Sequence, residues 1–339
     1  MTIFKTRSFW SAALLTLICS ILGTLLGGLP YLKIIGALVI SLILGMLMQI
    51  HQPTIKIAKA GIGFISNKFL RLGIILLGFK LNLIDLAHAG IKTILLAAII
   101  VTCTITIGYN IARKLGVEPQ LAILAASGTG ICGAAAVMGI SPQIQVPAGQ
   151  EEKKREDEVL AVAIVAILGT VFTLIEIGIK PLLHMTPTQF GVMTGGSLHE
   201  IAHAVAAGGS GGPVSLDTAI ITKLSRVLML APAALIIGIW YQKKVNKGQS
   251  SGHQKLPTPW FMLGFIIASV IGTFVPLGAT VLAWLVKLAY LVLGMAMAAL
   301  GMSVNFNVIL HRGRNALLAA SCASVILLTF MIIVSKTLF

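Results

Sequence analysis

The chain has 339 residues, of which 57% are hydrophobic and only 10% are charged, and its mean hydropathy is +0.98. Soluble globular proteins carry about a quarter charged residues, so this composition excludes a soluble domain and indicates an integral membrane protein. The formal net charge is +15, but the Lys and Arg residues fall mainly in short loops between apolar runs, as topology determinants do. We therefore expect the bilayer, and no nucleic acid, as a partner.

Apolar runs of about 20 residues, the length that crosses a bilayer, recur along the whole chain. They predict eleven helices, at residues 10–29, 33–50, 64–81, 92–112, 119–140, 158–179, 188–208, 217–241, 259–276, 281–303 and 315–336. Because two of these runs are rich in glycine, we expect an all-α polytopic fold of ten or eleven transmembrane helices, some of them broken. Residues 1–339 form a single membrane domain in this interpretation, with approximate halves at 1–180 and 188–339.

The positively charged loop residues predict the orientation of the chain. With the N-terminus in the cytoplasm, more than twice as many loop Lys and Arg residues lie on the cytoplasmic side as outside. Cytoplasmic loops carry an excess of these residues, which favours a cytoplasmic N-terminus.

An internal repeat relates the two halves. Residues 70–98 resemble residues 290–320: both have Leu-Gly, an apolar run, an Asn, a polar turn and then Leu-Leu-Ala-Ala. These segments fall on the third and tenth predicted helices, which cross the membrane in opposite directions. Inverted repeats are typical of secondary transporters, because exchanging the conformations of the two halves gives alternating access.

The first candidate site is the sequence SGTGICG at residues 127–133. Glycine and hydroxyl residues so close together at mid-membrane predict a helix that breaks and restarts. A restarted helix has free backbone N–H groups and the positive end of a dipole, which is a natural anion site. Close packing of helices through small residues is the alternative.

The second candidate site is residues 194–212, where glycine pairs flank His199, Glu200 and His203. Ionisable residues at membrane depth are costly and usually functional, which makes Glu200 a candidate proton or counter-charge carrier, with His199 beside it. The same residues match HExxH, the zinc-binding pattern of metalloproteases, but a third ligand is needed and no second cluster of ligands is evident. A hydrogen-bonded structural network is a further alternative.

The third candidate site is the pair Lys223 and Arg226. A spacing of three places both cations on one helix face, about two turns into a span. The guanidinium group offers a bidentate fork to an oxyanion. The alternatives are that the cations reach the interface or pair with Glu200.

Four segments resemble the YeiH-type sulfate exporter family: ICGAAAV at 131–137, SLHEIAHAVAAG at 197–208, KLSRVLMLAP at 223–232 and MAMAALGMSVNF at 295–306. The family is itself distantly similar to bile-acid transporters and cation–proton antiporters, with five-plus-five inverted repeats and crossed, broken helices. The resemblance implies a bacterial inner-membrane exporter of a small sulfur oxyanion. It adds Asn305 to the candidate site residues. The chain departs from the family pattern at Gly130, where Ser is usual, and at His203, where Gln is common.

We therefore predict a secondary transporter, not an enzyme, that exports a small anion such as sulfate or sulfite. Helix breaks at 127–133 and 194–197 would form the site, with Lys223 and Arg226 neutralising the anion. The predicted substrate-binding residues are Ser127, Thr129, Gly130, Cys132, Gly133, Lys223, Arg226 and Asn305, and the predicted coupling residues are Glu200 and His199. We expect no metal and no cofactor. The expected partners are the small inorganic or organic anion, a proton or sodium ion, and a second copy of the chain in a homodimer.

Two alternatives remain open at this point. A cation–proton antiporter would share the fold but needs paired carboxylates, and the acids in or near the predicted spans are Glu176, Glu200 and Asp85. An intramembrane zinc metalloprotease would use the HExxH pattern at residues 199–203.

Overall fold

The computed structural model describes residues 6–29, 37–50, 52–84, 90–146, 149–244, 260–303 and 306–339, and these ranges contain helices and no strands. The helices are α1 (Arg7–Gly27), α2 (Ala37–Met48), α3 (Gln52–Leu77), α4 (Gly90–Lys114), α5 (Pro119–Gly130), α6 (Ala134–Ile140), α7 (Glu151–Leu183), α8 (Pro187–Ser197), α9 (Ile201–Ser210), α10 (Pro213–Leu228), α11 (Leu230–Lys244), α12 (Trp260–Phe274), α13 (Ala279–Met302) and α14 (Phe306–Leu338). The predicted all-α fold is confirmed.

Seven described helices are long and apolar enough to cross a membrane. They lie at Arg7–Gly27, Ile55–Lys80, Gly90–Lys114, Glu151–Leu183, Pro213–Lys243, Ala279–Met302 and Gly313–Leu338. The other predicted spans correspond to shorter pieces: α2, α12 and the two broken helices α5–α6 and α8–α9. The protein is therefore polytopic, as predicted, and the broken helices account for part of the difference between these seven candidate spans and the eleven predicted ones.

The chain divides into two compact units, and each takes helices from both halves of the sequence. The first unit, residues 1–86 and 261–304, contains α1, α2, α3, α13 and all but the first residue of α12. The second unit, residues 87–260 and 305–339, contains α4 to α11 and α14.

Small residues hold the helices of the first unit close together. Gly45 of α2 lies against the backbone of Ala298 in α13, and Gly301 lies against the carbonyl of Leu42. A side chain at either glycine would force the two helices apart, which is why small residues are common where membrane helices pack.

Proline and glycine set the helix starts of the second unit. Pro119, Pro187 and Pro213 each occupy the first position of a helix, where proline's fixed φ is compatible and its missing N–H costs nothing. Gly212, with φ of 95°, turns the chain between α9 and α10. As a result, α10 packs back along α8. A Cβ built at Gly195 would lie only 2.5 Å from the carbonyl oxygen of Ala219.

Candidate functional site

The first break, Ile131 to Gly133, separates α5 from α6. Gly133 has φ of 71° and ψ of −133°, which only glycine adopts without strain. A Cβ built at Gly133 would also lie 2.6 Å from Cγ of Glu200. The predicted interruption within residues 127–133 is therefore confirmed, and the glycine that the geometry requires is Gly133.

The second break, Leu198 to Glu200, separates α8 from α9 and differs from the prediction. Residues 194–197 are helical, and the chain becomes extended only at Leu198, with ψ of 154°. The glycines at 195 and 196 serve packing instead, because added side chains would meet Ala219 and Met331. The prediction of a break at 194–197 was wrong by a few residues for this reason.

The second break also separates the members of the HExxH pattern. His199 and Glu200 lie in the extended segment, whereas His203 is the third residue of α9. In a zinc protease both histidines project from one continuous helix. The described residues contain no group of three His, Cys, Asp or Glu side chains that could hold a metal ion. The geometry argues against the protease interpretation, and the absence of a metal stays a prediction.

Lys223 joins the two breaks. Its Nζ donates to the carbonyl of Ile131 at 2.8 Å and to the carbonyl of Leu198 at 2.5 Å. The side chain is 0% exposed, so it does not reach the membrane interface. The carbonyl ends of α5 and α8 therefore meet around one ammonium group.

Arg226, one turn further along α10, completes this arrangement. Nη2 donates to the carbonyls of Thr129 and Gly130 at 3.0 and 2.7 Å, and Nε donates to that of Gly130 at 3.1 Å. Nη1 donates to the carbonyls of Gly196 and Leu198 at 2.7 and 2.9 Å. All three guanidinium nitrogens are used on carbonyl groups at the negative ends of two helix dipoles.

These contacts bear on the alternatives for the two cations. Neither Lys223 nor Arg226 has an ion pair within 4 Å with Glu176 or Glu200, although all four side chains are described. Both cations are buried, which excludes snorkelling to the interface. They cap helix ends in this structure, and their predicted role in neutralising an anion stays a prediction.

Two buried carboxylates lie close to the second break. Glu200 lies beside Gly133 and the backbone N–H of Ala134, at the positive end of α6. Glu176 of α7 accepts a hydrogen bond of 2.6 Å from the Ser197 hydroxyl through Oε1, and its Oε2 has no hydrogen-bond partner in the described part of the chain. The acids therefore flank the segment that leads from α8 into α9.

The two histidines are buried and only partly hydrogen-bonded. His199 Nε2 lies 2.9 Å from the Ser324 hydroxyl of α14, and its Nδ1 has no hydrogen-bond partner among the described residues. His203 packs against Gly169 of α7, and no described residue hydrogen-bonds to either of its ring nitrogens. A buried polar group without a hydrogen bond costs about 1–3 kcal/mol.

The comparisons with known proteins fit a membrane protein of this kind. A family model described as "Conserved hypothetical protein 698" matches residues 12–320. The chain belongs to this family. It is 58% identical to a UPF0324 membrane protein of Lactobacillus johnsonii over 344 residues, covering 100% of both chains. It is 53% identical to UPF0324 membrane protein BL1094 of Bifidobacterium longum, covering 93% of this chain and 91% of the relative. A UPF0324 membrane protein of Bacillus cereus is 41% identical, covering 92% and 87%. No solved structure matches.

For this member of the family, most of the predicted site residues come together in the second unit. Cys132 is buried in the first break and Ser127 in the last turn of α5, where no described residue hydrogen-bonds to the Ser127 hydroxyl. The hydroxyl of Thr129 donates to Ala125 of its own helix at 3.0 Å. Asn305 and Asp85 lie outside the described residues.

Sequence reasoning included His203 among the polar residues of the second candidate site but left Glu176, Gly169 and Ser324 out. Glu176 carried a usable signal, because it is an acid within an apolar run. Gly169 and Ser324 carried none, since small residues occur throughout membrane helices.

Proposed function

We propose that the protein is a secondary transporter that exports a small anion, such as sulfate or sulfite, across the bacterial cytoplasmic membrane. The observation that carries the proposal is the meeting of two broken helices around Lys223 and Arg226. Non-helical backbone at membrane depth is tolerated only where it is buried in protein or lines a water-filled cavity, and transporters place their substrates at such breaks.

The internal repeat supports alternating access. Each repeated segment, 70–98 and 290–320, runs from a helix of the first unit into a helix of the second: from α3 to α4, and from α13 to α14. The two repeats thus contribute corresponding helices to both units. This correspondence is what an inverted-repeat transporter requires, with one repeat on each side of its symmetry axis.

The start of α9 is the place we assign to the anion. The first N–H groups of a helix have no partner within it, and no side chain caps α9. The unpartnered His203 ring projects from the first turn, and the carboxylate of Glu200 and the imidazole of His199 precede it. Lys223 and Arg226 are already bound to carbonyls, so in this proposal they support the site from behind rather than bind the anion directly.

Sulfate binding to the purified full-length protein tests this assignment. We expect saturable binding of radiolabelled sulfate or sulfite, weakened at least tenfold by His203→Leu because the apolar side chain cannot donate a hydrogen bond to the anion. His203→Gln keeps an N–H donor and should retain most of the affinity. Binding that is equal in the wild type and both variants would remove His203 from the anion site.

A cation–proton antiporter of the same fold is the second candidate. It is favoured by Glu176 and Glu200, two buried carboxylates beside the same break. A sodium-dependent increase in melting temperature, with no response to sulfate or sulfite, would favour the antiporter. In neither candidate does the chain act as an enzyme, and no nucleotide-binding GxxxxGK[ST] motif is present in the sequence.

A further inference from the structure

The buried charges of the second unit balance one another at the two breaks. Glu176 and Glu200 supply two acidic groups, and Lys223 and Arg226 supply two basic groups, all at most 4% exposed. Salt bridges do not join them within 4 Å; the cations bind the carbonyl ends of α5 and α8. With the neighbouring histidines neutral, the cluster carries no net charge when both carboxylates are ionised.

An oxyanion that enters this cluster gives it a net negative charge. Sulfate brings two negative charges, and an uncompensated charge in a buried site is far more costly than a compensated one. Lys223 and Arg226 already donate hydrogen bonds to carbonyl groups, so these donors are engaged before an anion enters. The acidic groups are the other charged side chains of the cluster and can compensate the anion by taking up protons.

The two carboxylates are placed to provide it. Ser197, the last residue of α8, donates to Glu176, and Glu200 immediately precedes α9, so both acids flank the start of α9. The unpartnered Oε2 of Glu176 leaves one oxygen free to carry a proton. We propose that Glu176 and Glu200 each take up one proton when the anion binds, so that two protons compensate the charge of a bound divalent oxyanion. This inference rests on the function proposed above.

The charged and titratable groups that face the two acids are few. Lys223 and Arg226 of α10 act on Glu176, and Lys223 acts on Glu200. The Cys132 thiol of the first break lies within the field of Glu200. From α9 and the second break come His203 and His199, whereas α6 contributes no ionisable residue and α14 contributes the Ser324 hydroxyl.

Charge compensation predicts how sulfate affinity depends on pH. A ligand that binds together with protons binds more tightly as the pH falls, by about tenfold per pH unit for each proton. The wild type should therefore gain about 100-fold in sulfate affinity per pH unit over the range where both carboxylates are ionised in the free protein.

The experiment measures sulfate Kd between pH 6 and 8 on the purified full-length protein, together with the protons taken up from a weakly buffered solution. We expect proton uptake to rise toward two per sulfate at the alkaline end of this range in the wild type, and toward one in either Glu176→Gln or Glu200→Gln. In each single variant the pH dependence of the sulfate affinity should not exceed about tenfold per pH unit. The double variant should bind sulfate without proton uptake. Glu152→Gln, an exposed acid in the first turn of α7, is the matched control and should behave as the wild type.

The outcomes separate this inference from the proposed function. Sulfate binding without proton uptake, or with uptake unchanged in both single variants, would overturn the inference and leave an anion transporter. No binding of sulfate or sulfite at any pH would overturn both. Because Gln at position 176 still accepts the Ser197 hydrogen bond, loss of folding is not expected to obscure the result.

Discussion

The two units of the protein handle buried polar groups in opposite ways. In the described part of the first unit, the buried polar side chains are all hydroxyls, each within reach of a backbone carbonyl; they are Thr16, Ser20, Ser41, Ser66 and Ser269. The described part of the second unit buries seven Asp, Glu, His, Lys and Arg side chains; they are Asp157, Glu176, His199, Glu200, His203, Lys223 and Arg226. The buried side-chain atoms that lack a hydrogen bond also fall in the second unit.

This difference is the one expected between a structural scaffold and a binding site. Four of the five hydroxyls donate to a carbonyl of their own helix, which satisfies them without involving another element, and Ser20 of α1 donates to Leu291 of α13. Ionisable groups at membrane depth are costly and must be compensated by other elements. In the second unit the compensation comes from two broken helices and α10 together, so a ligand that enters there affects all three.

The largest effect should come from removing the guanidinium of Arg226. Arg226→Met removes the guanidinium donor from at least four carbonyl groups at the ends of α5 and α8, of which that of Leu198 keeps Lys223 as a second donor. Breaking a buried charged network of this kind costs about 3–5 kcal/mol. We expect a large drop in melting temperature in detergent and loss of a monodisperse peak on size exclusion.

The matched control for Arg226 is Ser269→Ala in the first unit, which removes a single 2.9 Å hydrogen bond to Phe265 of the same helix. Ser269→Ala should lower the free energy of unfolding by at most about 1 kcal/mol. If Arg226→Met melts within a few degrees of the control, the helix ends do not depend on the guanidinium, and the contrast between the units fails.

A glycine in each unit gives the next comparison. Gly133→Ala places a Cβ at a residue whose φ is 71°, and this Cβ would lie 2.6 Å from Cγ of Glu200. We therefore expect the free energy of unfolding to fall by about 1–3 kcal/mol. Gly63→Ala of α3 meets nothing within 4 Å and should stabilise its helix by up to about 1 kcal/mol. Melting temperatures that move in the same direction for both variants would show that Gly133 is not conformationally required.

The sequence alone predicted the features of the protein that follow from composition and local pattern. Apolar length predicted the helices, and the density of glycine near Gly133 predicted the first break. Buried Lys223 and Arg226 were recognised as costly because charged residues are rare at membrane depth. Each of these signals is local in the chain.

What the sequence could not predict depends on contacts between distant residues. The carbonyls that Arg226 binds lie 28 to 97 residues away, so nothing in its own segment distinguishes a helix cap from an anion ligand. Gly195 and Gly196 predicted a helix break, yet glycine is required at these two positions because α10 and α14 pack closely against them. Position along the chain does not reveal which of two physical uses a glycine serves.

The smallest effect should come from Ser324, which connects α14 to the second break through His199. Ser324→Ala removes the 2.9 Å contact to Nε2 and leaves a fully buried imidazole with no described partner on either nitrogen. One lost hydrogen bond costs about 1 kcal/mol, so we expect a shift of a few degrees in melting temperature. Ser41→Ala of α2 is the control, since its hydroxyl bonds only to Ala37 one turn away. If addition of sulfate restores the Ser324→Ala melting temperature to that of the wild type, the ligand compensates the imidazole, which would place the anion within reach of His199 as well as of His203. If sulfate raises both variants equally, His199 serves the packing of α14 and not the anion.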